Sequence, residues 1–531
     1  MKLTKYIRTT AVCALMATAP LVSCDTEELH NLNIDPQAVG EIDMNYLFTA
    51  AELGAASAGS AGDNRYIDWR TNIGFAAYAI QQLATASGGI SPGDKYTDNV
   101  ESYNAPWEFI YGDQLKNLAE VLKQTGPGGF AEGTKKNTRE ASRILRAFLF
   151  HRLTDYYGNI PYSQALQGIE EIYTPEYDHQ QTIYTDLLKE LDEASAAISA
   201  SNPDDGFAAA DLIYEGDIAK WKKFGYSLML RLAMRVSNVD PTLAETYVTK
   251  AIQGGVFTSN DDNAWVPMAL EPSEWTNQNG ISRAFAAGDG GQPTTLSKRL
   301  VDMLKGADAS TAADDDPRLM IISGGVDEDT DPLVQEGMPN GLDQALLDDY
   351  LGIEGANQSE HFSRINVLLL DDDDPYMLMN YAEVELLQAE AIERSIGTVP
   401  GTAKDHFEAG VAAAIQMYTP FDASLEVDDA VAAAYAQSLG YTDGSGDALE
   451  MIGDQLWLSK FFNWWDAWAD WRRTGFPILV PTDYPGNVTG GTIPRKLRLP
   501  SHEVAVNAEN IAAGATLPDN PTTRVWWDGG N

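Results

Sequence analysis

Between Glu140 and Tyr157 the apolar residues fall at Ala141, Ile144, Leu145, Phe148, Leu149, Leu153 and Tyr156, and no other feature constrains the fold more. Steps of three and four put them all on one helix face, which must be buried against another element. Asn137, with Glu140 three residues on, has the form of a helix cap, and Gly158 followed by Pro161 ends the run. The same periodicity predicts helices at about 107–124, 180–200, 218–237, 242–253, 376–396, 403–418 and 447–473.

The fold class that follows is mostly α. No strict repeat is visible, but paired amphipathic helices of this length suggest a tetratricopeptide-like helical-pair scaffold in part of the chain. Between about 255 and 375 the texture changes to Gly, Pro, Asp, Asn and Ser, as in Gly254-Gly255, Asp261-Asp262-Asn263, Gly288-Asp289-Gly290-Gly291 and Gly324-Gly325. These are turn signals, so long inserted loops with a few short strands are expected here, and similar loops at 59–66 and 87–106. The expected organisation is one domain over 41–531. Its helical scaffold covers about 41–253 and 376–500, and a loop-rich, ligand-facing region covers about 255–375.

The N-terminus reads as an export leader. Lys2, Lys5 and Arg8 precede a mostly apolar stretch from Thr9 to Val22. That stretch is too short to span a bilayer permanently, which takes about 20 apolar residues. It ends in Leu21-Val22-Ser23-Cys24, a lipobox: cleavage removes 1–23, Cys24 takes the lipid, and 24–40 forms a tether. The acidic Asp25, Glu27 and Glu28 beside it read equally as a surface-export tag and as a solvated tether. Cys13 lies in the leader, so the chain's two cysteines leave no disulfide, thiol nucleophile or cysteine-ligated zinc in the mature protein. A chain so placed is held together by its core alone.

With 36 basic against 78 acidic residues, a net charge of −42, nucleic acid and anionic lipid heads are poor partners. Contact with the membrane is expected through the lipid anchor only.

No catalytic signature is present. H-E-x-x-H and the phosphate-binding G-x-x-x-x-G-K-[ST] are absent, and Ala58 stands where G-x-S-x-G would need its first glycine. The six histidines (30, 151, 179, 361, 406 and 502) are not spaced as metal ligands on one helix face, and mid-helix His151 reads as structural. Cofactors are therefore expected to be none, with calcium the one exception to weigh. Asp443, Ser445, Asp447, Leu449 and Asp454 follow a calcium-loop spacing, although Ala448 replaces its glycine and Asp447 with Glu450 reads better as a helix cap. Asp371 to Asp374, with Asp371 and Asp373 as candidate ligands, reads otherwise as a solvated turn before Pro375.

Aromatic residues carry the remaining chemistry. Trp457, Phe461, Trp464, Trp468 and Trp471 recur at helical spacing and belong to a core stripe. Trp69, Trp107, Trp265 and Trp275 lie outside the strongest helical runs, or at a helix start, among Gly, Asn, Asp and Tyr. Flat rings stack on the apolar faces of sugars while amides and carboxylates meet the hydroxyls, so these four are the candidate ligand-binding residues. The alternative for each is a ring that pins its loop to the core.

Four stretches together resemble the SusD/RagB family of outer-membrane nutrient-binding lipoproteins, in its SusD-like subgroup. They are Arg139–Phe148 running to Asp155-Tyr156-Tyr157-Gly158-Asn159-Ile160-Pro161-Tyr162; Leu230–Arg235 with Ser237–Pro241; Tyr381–Val384 leading to Ala389-Glu390-Ala391; and Gln455–Trp457 through Trp465–Gly475 to Ile493-Pro494-Arg495. Asn159 and Leu456 depart from the usual residues. The resemblance implies four tetratricopeptide-like units packed against a TonB-dependent, SusC-like outer-membrane transporter. It implies a lid-like role at the cell surface, capturing a glycan, or alternatively a peptide, and passing it inward without catalysis. A surface glycosidase and a protein-only helical adaptor are the rival readings.

Overall fold

The computed structural model describes residues 42–87, 92–272, 276–288, 290–514 and 518–530, and Met44–Asn531 form one compact unit. Cys24, the leader and the tether lie outside the described residues, as does Trp275. Among the longer helices, α1 is Met44–Ala55, α2 Lys116–Thr125, α3 Lys136–Tyr157, α4 Gln180–Ala197, α5 Ile218–Arg235 and α6 Pro241–Gly254. The short α7, Gly280–Phe285, lies in the loop-rich region, and after it come α8 Tyr381–Glu393, α9 Ala403–Gln416, α10 Asp429–Ser438, α11 Ala448–Leu458 and α12 Trp464–Thr474. No described helix is long and apolar enough to cross a membrane.

Neighbouring helices pack in sequence: α3 on α4, α4 on α5, α5 on α6, then α8 on α9 and α9 on α10. Two mid-helix glycines show how closely they approach. A Cβ on Gly225 of α5 would lie 2.1 Å from the Ser195 hydroxyl of α4, and one on Gly410 of α9 would lie 2.8 Å from Leu386 of α8. Side-chain caps fix several entries: Asp217 accepts from Ala219 and Lys220, Asp240 from Leu243, Asn380 from Glu383 and Thr402 from Asp405.

The long α3 is where its stripe places it, and Gly158 ends it at φ 83°. Its start differs from expectation. The Asn137 side chain makes no cap; it accepts from the Ser199 amide at 3.1 Å and from Asn202 at 2.9 Å. Asp204 caps α3 from outside the helix, its carboxylate accepting from the Thr138 amide at 2.6 Å. Asp447 stands at the N-cap position of α11 but its side chain makes no cap bond there.

Other boundaries also moved. The helix expected over 376–396 begins with a buried strand, β2 Tyr376–Met379, which pairs antiparallel with β1 Ala264–Val266; Trp265 faces Met377 in the register. The helix expected over 447–473 is two helices, broken where Phe462 turns to φ 76°. The break carries the aromatic stripe round a corner, and Trp457, Phe461, Trp464, Trp468 and Trp471 are all buried. The stretches read as loops at 59–66 and 87–106 are partly helical, with short 3₁₀ helices at Ser60–Arg65 and Gly93–Lys95 and an α-helix at Val100–Pro106. Ile67–Ala77 and Trp107–Leu115, the latter opening the helix expected at 107–124, are wound with i→i+5 hydrogen bonds.

Candidate ligand-binding groove

One group of three acids among the described residues converges as a metal site would: Glu383, Asp466 and Asp470, with ligand atoms within 4.8 Å of one another. Protein cations fill it. The Lys460 ammonium meets Glu383 at 3.1 Å and bonds Asp466 and Asp470 as well. Arg231 grips both oxygens of Glu383 at 2.6 Å, Arg235 donates to Asp466 at 2.5 Å, and Arg473 forks onto Glu390. Burial would raise the Asp466 carboxyl, but Arg231, Lys460 and Arg235 outweigh it and hold it well below the usual carboxylate range. Asp155 joins through Arg235 at 3.6 Å, so all four sequence stretches described above meet in this one buried ion network. His151 is buried beside it against Phe148 and Trp465, both ring nitrogens unpartnered; burial, then Arg231, pushes its pKa well down and keeps it neutral. These residues hold the scaffold and offer a ligand nothing.

The candidate tryptophans separate by burial. Trp107 is 7% exposed, hemmed in by Tyr111 at 5.1 Å, Tyr157 at 5.2 Å and Tyr177 at 6.2 Å between ring centroids. Its ring packs among these three tyrosines and leaves little surface open to a ligand. Trp69 is half-buried on a wide helix, stacked at 5.4 Å on Tyr66, which stacks in turn on Phe109 and carries the Arg70 guanidinium 4.4 Å from its ring. The Trp69 indole N–H is buried without a partner. Trp265 is half-buried on β1, with the Phe421 ring edge-on at 5.7 Å.

Trp265 also stands at a junction. On one side is a narrow apolar recess of about 10 Å³ lined by residues that include Asn279, Ile281, Pro375, Met417, Phe421 and Phe462. On the other opens a polar cleft of about 710 Å³ that includes Asn260, Asp261, Asn263, Gln416 and Thr419. This continues through Gln416, Thr419 and Asp429 into a further 470 Å³ beside Glu426, Asp428 and Val431. The amides are held in place: Asn260 donates to the Ala413 carbonyl at 3.0 Å, Asn263 accepts from the Tyr381 amide at 2.6 Å, and Gln416 donates to Asp429 at 2.6 Å. Sequence reasoning had singled out Trp265 but not Phe421, Gln416 or Asp429, which the fold brings from far along the chain.

The acidic turn Asp371–Asp374 abuts the recess through Pro375. The Asp374 carboxylate accepts from the Asp371 amide at 2.8 Å, while Asp371 and Asp373 are exposed. Burial, with the charges of Asp371, Asp373 and Asp422, pushes Asp374 up to about 7. The turn's carbonyls secure α7: Asn279 donates to Asp372 and Asp374, and Ser282 to Asp371, at 2.7–3.0 Å. The other candidate calcium ligands are arranged as structural acids. Asp443 accepts from the Lys404 amide at 2.7 Å, and the Gly444 amide bonds Glu393. Asp447 is exposed. Asp454, from the same spacing, sits on α11 and is raised to about 6 by burial, against the pull of Arg299. Neither set belongs to a converging group of three acids among the described residues.

The family model SusD-like_2, described as "Starch-binding associating with outer membrane", matches residues 36–500. Among solved structures, one described as a chitin-binding protein is 30% identical and superposes with a TM-score of 0.76, covering 92% of this chain and 100% of its own. A SusD homologue from Bacteroides uniformis is 24% identical, with a TM-score of 0.71 and coverage of 91% and 99%. A chitin-binding SusD homologue from Flavobacterium johnsoniae is 22% identical, with a TM-score of 0.72 and coverage of 92% and 99%. The last two show the fold alone. No curated protein sequence matches the chain.

Proposed function

The chain belongs to the SusD-like_2 family, and from that premise we propose that it captures a nutrient glycan at the cell surface and delivers it to a TonB-dependent outer-membrane transporter. In this reading Cys24 carries the lipid anchor, and the protein binds its cargo without chemical change. The observation that carries the glycan reading is Trp265: a half-buried indole between an apolar recess and a long cleft lined by amides and hydroxyls. Sugar rings need that pairing, an aromatic face for their C–H side and fixed polar groups for their hydroxyls. The chitin-binding protein at 30% identity supports the same cargo class. Trp69, stacked on Tyr66, is proposed as a second contact.

Titration calorimetry of the full chain against α-glucans, β-glucans, chitin oligomers, mannans, pectins and a peptide digest tests this. Heat from one glycan class, abolished by Trp265→Ala without a change in melting temperature, is the expected result. Heat from peptides alone would replace glycan by peptide as the cargo. Shortening of an oligosaccharide during incubation would make the protein an enzyme and refute the proposal. Co-purification with a barrel transporter from outer membranes, lost on Cys24→Ala, is the expectation for the delivery step.

A further inference from the structure

The groove through Trp265 carries charge of one sign. The charged residues along it are Asp261, Glu426, Asp428 and Asp429, and none of its described lining residues is Lys, Arg or His. Composition does not account for this. Although the chain is acidic, it has 36 basic residues, and other clefts of similar size hold some of them. Arg364 lines a 550 Å³ cleft beside Phe285, and Lys116 and Lys123 line a 640 Å³ groove beside Leu47. More acids stand at the recess end, where Asp371, Asp373 and Asp422 all bear on Asp374, next to the lining residue Pro375. The basic residue of α7, Arg283, is engaged with Gln278 at 2.8 Å and Asp372 at 3.6 Å.

A ligand carboxylate or sulfate laid along this groove would meet repulsion from both ends and find no guanidinium or ammonium to pair with. A protonated amine is favoured twice. The exposed carboxylates of Asp261, Glu426 and Asp428 attract it, and the Trp265 face attracts cations through its quadrupole. Resting on the glycan reading above, we infer that the groove selects uncharged and amine-bearing glycans over uronate- or sulfate-bearing ones, with a partly de-N-acetylated amino-sugar oligomer its tightest ligand. The selectivity lies in the charged rim, and the aromatic and amide contacts are common to every neutral sugar.

The test is calorimetry of the full chain, slightly below neutral pH, with four hexamers: maltohexaose, the N-acetylglucosamine hexamer, its half-deacetylated form and a galacturonate hexamer. The half-deacetylated hexamer is expected to bind about fivefold more tightly than the acetylated one at low salt. That advantage should shrink toward unity at about 0.5 M salt, and the galacturonate should give no heat. Asp261→Asn/Glu426→Gln/Asp428→Asn changes only exposed side chains; it should erase the amine preference, bringing the half-deacetylated and acetylated hexamers to equal affinity whatever that affinity then is. Galacturonate binding as tight as the neutral hexamers, or an amine preference indifferent to salt or to the triple substitution, overturns the charge selectivity and leaves glycan capture standing. Silence from all four hexamers overturns both.

Discussion

Lys460→Met tests the ion network that joins the scaffold helices. The ammonium is fully buried and bonds three carboxylates at once, those of Glu383, Asp466 and Asp470. At the network's centre four cations, Lys460, Arg231, Arg235 and Arg473, meet four carboxylates, Glu383, Glu390, Asp466 and Asp470, with Asp155 beyond them on Arg235 at 3.6 Å. Methionine keeps most of the apolar stem and removes one positive charge, leaving a buried negative charge uncompensated. Breaking a buried pair in this way costs about 3–5 kcal/mol. Unfolding entropies near 2.1 cal/mol/K per residue amount to roughly 1 kcal/mol/K for a chain of this length, so the melting temperature should fall by about 3–5 °C. The deficit should also depend on pH. In the variant one of the three carboxyls has its folded pKa raised above the unfolded value, so its stability contribution is present at low pH and lost as pH rises. The difference from the parent should therefore be largest above neutrality and shrink on acidification, which lost packing alone would not produce. Lys460→Met/Asp470→Asn removes a negative charge to match and should recover part of the loss. Melts followed by circular dichroism at several scan rates and pH values read all of this. A single variant melting within about 1 °C of the parent, or a double variant melting below the single, would refute charge balance as the reason for the network.

Trp107→Ala should lower stability by about 3–5 kcal/mol in a denaturant titration while leaving glycan affinity unchanged, because the ring is enclosed by tyrosines. Gly225→Ala should cost about 1–3 kcal/mol by forcing α4 and α5 apart at Ser195, and Ser195→Gly in the same chain should recover most of it in the same titration. Asp374 has its folded pKa raised to about 7, so the stability it contributes is complete below the ordinary aspartate pKa and lost as pH rises through 7. Asp374→Asn should accordingly melt higher than the parent at about pH 8 and level with it at about pH 4, as read by thermal scans.

What was legible in the sequence follows from how far each determinant reaches along the chain. The stripe from Ala141 to Tyr156 gave α3 because a buried face is a local pattern, whereas its cap was missed because Asp204 lies 66 residues from Thr138. Tyr376–Met379 is buried at all four positions, so it shows no alternation that would mark a strand against the helix that follows. The corner at Phe462 has no local signal, since an aromatic residue at positive φ is held there by the surrounding structure. Trp69 lies outside the strongest helical runs and Trp107 at the start of one, among Gly, Asn, Asp and Tyr; both sit on wide helices, a winding that periodicity of three and four does not mark. Trp265 was found among its own Asp and Asn neighbours, but the other wall of its groove comes from α9 and the residues beyond it. The stretches that disclosed the family were the ones converging on the ion network, and that too has a physical reason. Charges buried on several helices admit few residue types and one register, so they leave a recognisable pattern. A groove rimmed by exposed acids can be built from many sequences, and its chemistry becomes visible only when the chain has brought Asp261, Glu426 and Asp428 together.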